Sequence, residues 1–109
     1  MKIYKMKDMI GGWFVGDFDP SVIKTKDFEV CYKCHAKGEQ WPTHYHKIAT
    51  EISYMISGKM TIQGQLLQEG DIFVLEPNEV ADPVFLEDCC LIVVKTPSVI
   101  GDKYEVSTV

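Results

Sequence analysis

Along this chain apolar and polar residues alternate in short runs, and almost nowhere do they repeat at helical spacing. No stretch of roughly 11 residues or more carries apolar side chains at three- and four-residue intervals between recognisable caps. β-rich runs separated by turn residues recur instead, about every 8 to 12 positions, which is the pattern of an all-β sandwich or barrel. The alternation predicts strands near residues 2–6, 12–18, 27–36, 43–47, 50–57, 59–63, 71–76, 83–86 and 89–96. Between them fall Asp19-Pro20, Lys37-Gly38, Ser57-Gly58-Lys59, Gln63-Gly64, Glu69-Gly70, Pro77-Asn78 and Glu87-Asp88. Each supplies a residue that tolerates positive φ or pre-sets a turn. No internal repeat or linker interrupts the series. The expectation is one β domain, with N-terminal strands over residues 1–27, a core over 28–96 and an unpatterned tail over 97–109.

Strand parity adds detail. In the run 50–57, Glu51, Ser53, Met55 and Ser57 share one face, and Ile52, Tyr54 and Ile56 share the other. If the first face lines a pocket, the second sets three large apolar side chains on the outside, a patch that a monomer seldom exposes. The N-terminal strands or a second subunit must cover it, and a homodimer is the preferred reading.

Composition narrows the classes. The chain has 109 residues, 46% of them hydrophobic and 25% charged, with a formal net charge of −5. That suits a single globular domain and argues against nucleic acid, which needs a basic face. No apolar run reaches the roughly 18–20 residues that span a bilayer. The segment Met1–Ile10 has lysines but no apolar stretch behind them, so a signal peptide is not expected and a cytoplasmic location is. Of the four cysteines, Cys31 and Cys34 have metal-site spacing, but on a strand they diverge to opposite faces. All four thiols (Cys31, Cys34, Cys89 and Cys90) are expected reduced.

The chemistry concentrates between Gly38 and Gly58. His44 and His46 sit at i and i+2, so on a strand both imidazoles project from one face. Glu51 follows after enough chain to turn and begin the next strand, returning a carboxylate toward the rings. Two imidazoles and one carboxylate, with positions left open, form a ligand set for Fe(II), Mn(II), Zn(II) or Ni(II).

This segment resembles the first motif of the cupins, G-x5-H-x-H-x3–4-E-x6-G, at all its fixed positions: Gly38, His44, His46, Glu51 and Gly58. The second cupin motif, G-x5-P-x-G-x2-H-x3-N, is matched only in part. Gly70 opens it, Glu76 takes the usual proline slot with Pro77 beside it, Asn78 stands for glycine, and Ala81 occupies the place of the family's third histidine. The resemblance covers roughly residues 28–96. It implies a double-stranded β-helix, a jelly-roll barrel with a divalent metal in its lumen, and chemistry from a repertoire of isomerases, epimerases, lyases, decarboxylases and dioxygenases. Two readings of Asp82 stand: a fourth ligand if the turn carries one extra residue, or a turn aspartate before Pro83. A third arrangement leaves His44, His46 and Glu51 with waters.

His35 and Lys33 lie on the strand leading into the motif, on the face that carries Cys31. If that face looks inward, either is a candidate general acid/base or anion contact; otherwise both are packed or solvated residues. Trp41 and Tyr45 read as packing aromatics, with Trp41 near the pocket mouth. The functional expectation is a metal-binding enzyme for a small hydroxylated, carbohydrate-type or oxo-acid substrate, with the metal as Lewis acid. A non-catalytic ligand-binding module, an Fe(II) dioxygenase and a vestigial site are the alternatives. They differ in whether the pocket around His44, His46 and Glu51 is open or plugged by Met55 and Phe73.

Overall fold

The computed structural model describes residues 1–106, of which the expected tail contributes all but its end. Eleven strands follow a single 3₁₀ turn at Met6–Asp8: β1 (Trp13–Gly16), β2 (Ile23–Lys24), β3 (Glu29–His35), β4 (His44–Tyr45), β5 (Thr50–Ser57), β6 (Lys59–Ile62), β7 (Gln65–Gln68), β8 (Ile72–Leu75), β9 (Val84–Phe85), β10 (Cys89–Thr96) and β11 (Tyr104–Glu105). They form a six-stranded sheet in the order β2-β1-β3-β10-β5-β8, a three-stranded sheet β7-β6-β9 and the pair β11-β4. The non-sequential order, with β10 between β3 and β5, is jelly-roll topology.

The two longest strands are the firmest elements. β5 and β10 have the predicted bounds, because each is central in the large sheet and pairs on both sides. The run 2–6 is not a strand. Its side chains are exposed and nothing pairs with them, so alternation alone does not hold it extended. Three strands fall outside the expected runs: β2 and β11 have two residues each, too few to show a period, and β7 reads Gln-Leu-Leu-Gln, which does not alternate. Nor do β1 and β2 lie over the outside of β5. They extend the sheet beyond β3, and Ile52 and Tyr54 stay exposed.

The core packs Met55, Met60, Ile62, Leu75, Ala81, Phe85, Cys89 and Leu91 between the large and the three-stranded sheets. Gly58 closes the β5–β6 turn with φ +87°, and a Cβ there would lie 2.1 Å from the Asp88 carbonyl oxygen. The turn therefore requires glycine twice over, for its dihedral and for the close approach.

The cysteines split. Cys31 and Cys89 are buried free thiols, whereas Cys34 and Cys90 form a disulfide, correcting the expectation of four reduced thiols. The divergence of Cys31 and Cys34 holds, and it is what frees Cys34 to meet Cys90. The two are directly opposite in the β3–β10 register, a neighbourhood 56 residues apart in sequence.

Candidate functional site

The inward faces of the large sheet line a cavity of about 470 Å³. Pairing register arranges its wall in cross-strand rows. Glu51, Lys95 and Glu29 stand side by side on β5, β10 and β3; Ser53, Val93 and Cys31 form the next row. Lys95 lies between two carboxylates and is salt-bridged to Glu29 at 3.2 Å, and Glu29 also accepts a 2.7 Å hydrogen bond from the Ser98 hydroxyl. Met60, Ile62, Leu75, Phe85 and Leu91 supply an apolar floor shared with the core. Phe73 is part of the wall and Met55 lies buried outside the lining, so the space is open.

His44 and His46 enter from the opposite side on and just after β4, their rings buried and 5.5 Å apart between centroids. Each ring's tautomer follows from its partner. His44 Nδ1 meets the Pro42 carbonyl at 2.9 Å and His46 Nδ1 meets the Asp102 carbonyl. A carbonyl only accepts, so both Nδ1 atoms carry the proton, and a neutral ring then has a bare lone pair on Nε2. Burial pushes the His44 imidazole below its ordinary pKa, against the raising effect of the Pro42 hydrogen bond, and Lys103 and His46 push the same way as burial. His46 Nε2 is fully buried without a hydrogen-bond partner, 4.0 Å from a Glu51 carboxylate oxygen. An orphaned buried nitrogen of this kind is costly unless something binds it.

Sequence reasoning missed Asp102, in the stretch read as an unpatterned tail. Its carboxylate accepts from three consecutive backbone N–H groups, those of Lys47, Ile48 and Ala49, at 2.9–3.1 Å for the shortest contact to each. Burial works to raise its pKa, but these hydrogen bonds prevail and hold the carboxyl below the usual carboxylate range. The tail is thus pinned at the site. Tyr104 stacks on Tyr45, and Lys47 lies over the Tyr104 ring at 4.2 Å. No local signal could have found this, because the partner of Asp102 is a run of backbone more than fifty residues away.

Lys33 and His35 both reach the cavity, as parity with Cys31 requires. His35 is tightly held. Its Nδ1 contacts Glu39 at 2.5 Å, and its ring stacks on Phe85 and meets Trp41 edge-on. The hydrogen bond from His35 holds the Glu39 carboxyl below its ordinary range. Cys31 lines the cavity too, but burial pushes its thiol up to about 11, so it is no thiolate nucleophile.

Asp82 is not brought to the site. It is exposed, and its carboxylate accepts from the Gln63 backbone N–H at 2.7 Å. The inward position belongs to Ala81, which is buried, lines the cavity and pairs reciprocally with the His44 backbone. A methyl group therefore stands where the resemblance would put a third imidazole. Among the described residues, no three His, Cys, Asp or Glu side chains converge into a group that holds a metal ion as they stand. The donors His44, His46 and Glu51 fit a divalent ion in kind: two imidazoles whose Nδ1 atoms are held by carbonyl partners, and a carboxylate beside His46.

Solved structures share this architecture. An uncharacterised Klebsiella pneumoniae protein with a double-stranded β-helix domain superposes with a TM-score of 0.67 at 22% identity, covering 75% of this chain and 72% of that one. The fold is cupin-like. The DMSP lyase DddQ of Ruegeria pomeroyi aligns at TM-score 0.70 and 13% identity over 84% of this chain and 48% of its own. Bacillus subtilis oxalate decarboxylase, a protein with Mn(II) centres, aligns at 0.61 and 18% over 74% and 24%. At these identities the likeness extends to the fold alone. No family profile matches the chain, and no curated protein matches its sequence. Among the described residues no helix is long and apolar enough to cross a membrane.

Proposed function

We propose that this cupin-like domain binds a divalent metal (Fe, Mn, Ni or Zn) through His44, His46 and Glu51 and acts on a small hydroxylated or oxo-acid substrate by isomerase, epimerase or lyase chemistry. The observation that carries the reading is the buried, unpartnered Nε2 of His46 facing Glu51 inside an open cavity. When bound, the ion supplies Lewis acidity toward a carbonyl or enediolate oxygen. The protein's own groups do the rest. The Pro42 and Asp102 carbonyls fix both imidazoles, the apolar floor limits water, and His35, oriented by Glu39, offers Nε2 for proton transfer. The Mn(II) of the similarly folded decarboxylase and the lyase activity of DddQ are of the same kind.

A second reading, a non-catalytic small-ligand module, draws on Ala81. Without a third histidine the site gives a metal one protein ligand fewer, so a weakly held ion or none is its expectation. The outer face of the sheet supports a further element, a homodimer. Tyr32, Ile92, Tyr54 and Ile72 form one cross-strand row there, and Val30, Val94, Ile52 and Val74 another. This flat apolar face suits a second copy packed against itself about a two-fold axis.

Metal analysis by mass spectrometry on untagged protein tests the main reading. Near-stoichiometric metal is expected in the wild type and loss of most of it in His44→Ala and His46→Ala, with the β-sheet circular dichroism unchanged. Wild-type protein that comes out empty and takes up no added metal would hand the site to the non-catalytic module.

A further inference from the structure

Among the described residues, two ammonium groups at the cavity take part in no salt bridge. Lys95 is accounted for by Glu29, with Glu51 beside it in the same row. Lys33 and Lys103 are not: among the described residues neither has an acidic group within salt-bridge distance. Both converge on one aromatic ring instead. Lys33 Nζ lies 5.3 Å and Lys103 Nζ 4.9 Å from the Trp41 ring centre, and all three residues line the cavity.

Bringing two like charges to one ring is unfavourable unless something offsets their repulsion, and the ring itself offsets only part of it. Lys103 feels the crowding: burial lowers its pKa, and Lys95 and Lys33 lower it further, against Glu105 and Glu51, which act to raise it. Both lysines come from well-fixed backbone. Lys33 is in the middle of β3, and Lys103 follows Asp102, whose carboxylate is anchored by three N–H groups. Lys33 is half-buried on the cavity wall, and Lys103 is exposed at its rim.

We propose that Lys33, Lys103 and Trp41 form an anion subsite that takes the carboxylate of a small hydroxylated acid entering the cavity. This rests on the cavity being the substrate site and sharpens that reading, selecting sugar acids and oxo-acids over neutral sugars. A singly charged carboxylate matches the site better than a phosphate dianion, because Glu29 and Glu51 already place two negative charges on the same wall. The ammonium groups give charge-assisted hydrogen bonds, and the indole face accepts the apolar side of the carbon chain. In this arrangement Lys33 binds and orients substrate, leaving proton transfer to His35.

The test separates the subsite from the metal. Chelator-treated protein is titrated with D-gluconate and with its neutral counterpart sorbitol, following the Trp41 indole N–H by NMR. Gluconate is expected to shift that resonance saturably and sorbitol not to, with the affinity weakening as salt is added. Lys33→Met and Lys103→Met, which keep the apolar stems, should each weaken gluconate about tenfold, while Lys33→Arg retains binding. Metal content should be unchanged in all three, so failure of the metal reading and failure of the subsite are seen independently. Equal shifts from both probes, or gluconate binding undiminished in the double methionine variant, would overturn the proposal. So would inorganic phosphate binding more tightly than gluconate, which would assign the lysines to a phosphate ester.

Discussion

The two faces of one sheet reverse the usual arrangement. On β5, β10 and β3 the inward row Glu51, Lys95, Glu29 is charged, and the adjacent outward row Ile52, Val94, Val30 is apolar. In a domain that only had to fold, period-two alternation would put the apolar row inside. Here the folding core is confined to the end of the barrel where Met55, Met60, Phe85 and Leu91 meet. The remaining inward face is given over to ionised groups around a cavity. Two of the charges inside are kept by pairing: Lys95 between two carboxylates, Asp102 on three N–H groups. Apolar residues outside have no such partner in a single copy. The difference sets the proposed site on one face and the proposed subunit contact on the other.

The largest effect should come from breaking the outward face. Tyr54→Lys with Ile92→Lys puts two cations in neighbouring positions of one row, where a two-fold pair would bring four together. Sedimentation velocity is expected to show a dimer for wild type and a monomer for the double variant, at unchanged metal content. A wild-type monomer at tens of micromolar would leave the apolar face unexplained and remove the dimer. A stable interface of this kind needs roughly 800 Å² per partner, and the eight-residue face is its natural centre.

How much of this was legible in the sequence depends on whether the signal was local. Glu51, Ser53 and Met55 facing in and Ile52 and Tyr54 facing out follow from parity within one strand, and the structure has them so. The i, i+2 spacing likewise placed His44 and His46 on one cavity. Contacts made by register were invisible. Cys34 meets Cys90, and Lys95 meets Glu29, only because β10 runs between β3 and β5, and no periodicity states that order. The tail was read as patternless because Asp102 and Lys103 act singly: one carboxylate pins the backbone and one ammonium reaches Trp41.

Asp102→Asn tests whether that pin holds the inward site together. Removing the charge weakens the hydrogen bonds to Lys47, Ile48 and Ala49, at a cost of about 1–3 kcal/mol for a buried charged acceptor. Chemical denaturation should show the loss near neutral pH. Because the folded carboxyl titrates below its ordinary value of 3.8, the unfolded chain takes up the proton first as pH falls. The stabilisation is therefore whole at neutral pH, begins to fade near the unfolded pKa and disappears once pH passes below the folded one. The gap between wild type and Asp102→Asn should narrow over that same interval. A gap that stayed constant from pH 7 to pH 3 would show that the carboxylate's charge is not what anchors the tail.

The smallest effect is expected at Asp82, and its smallness is informative. Asp82 and Ala81 are neighbours on opposite sides of the chain, one exposed and bonded to the Gln63 N–H, the other buried against His44. Asp82→Ala forfeits one exposed hydrogen bond at a residue whose partner has positive φ, costing about 0.5–1.5 kcal/mol, and should leave metal content at the wild-type level. Ala81→His is the counterpart, since it supplies an imidazole from the inward position. If that variant holds metal more tightly while Asp82→Ala changes nothing, the site is open at the place Ala81 occupies, and the cavity face alone sets the ligand count. Loss of metal in Asp82→Ala would mean instead that the turn between β8 and β9 reverses to bring the carboxylate inward when metal binds, and the division between the two faces would fail at that turn.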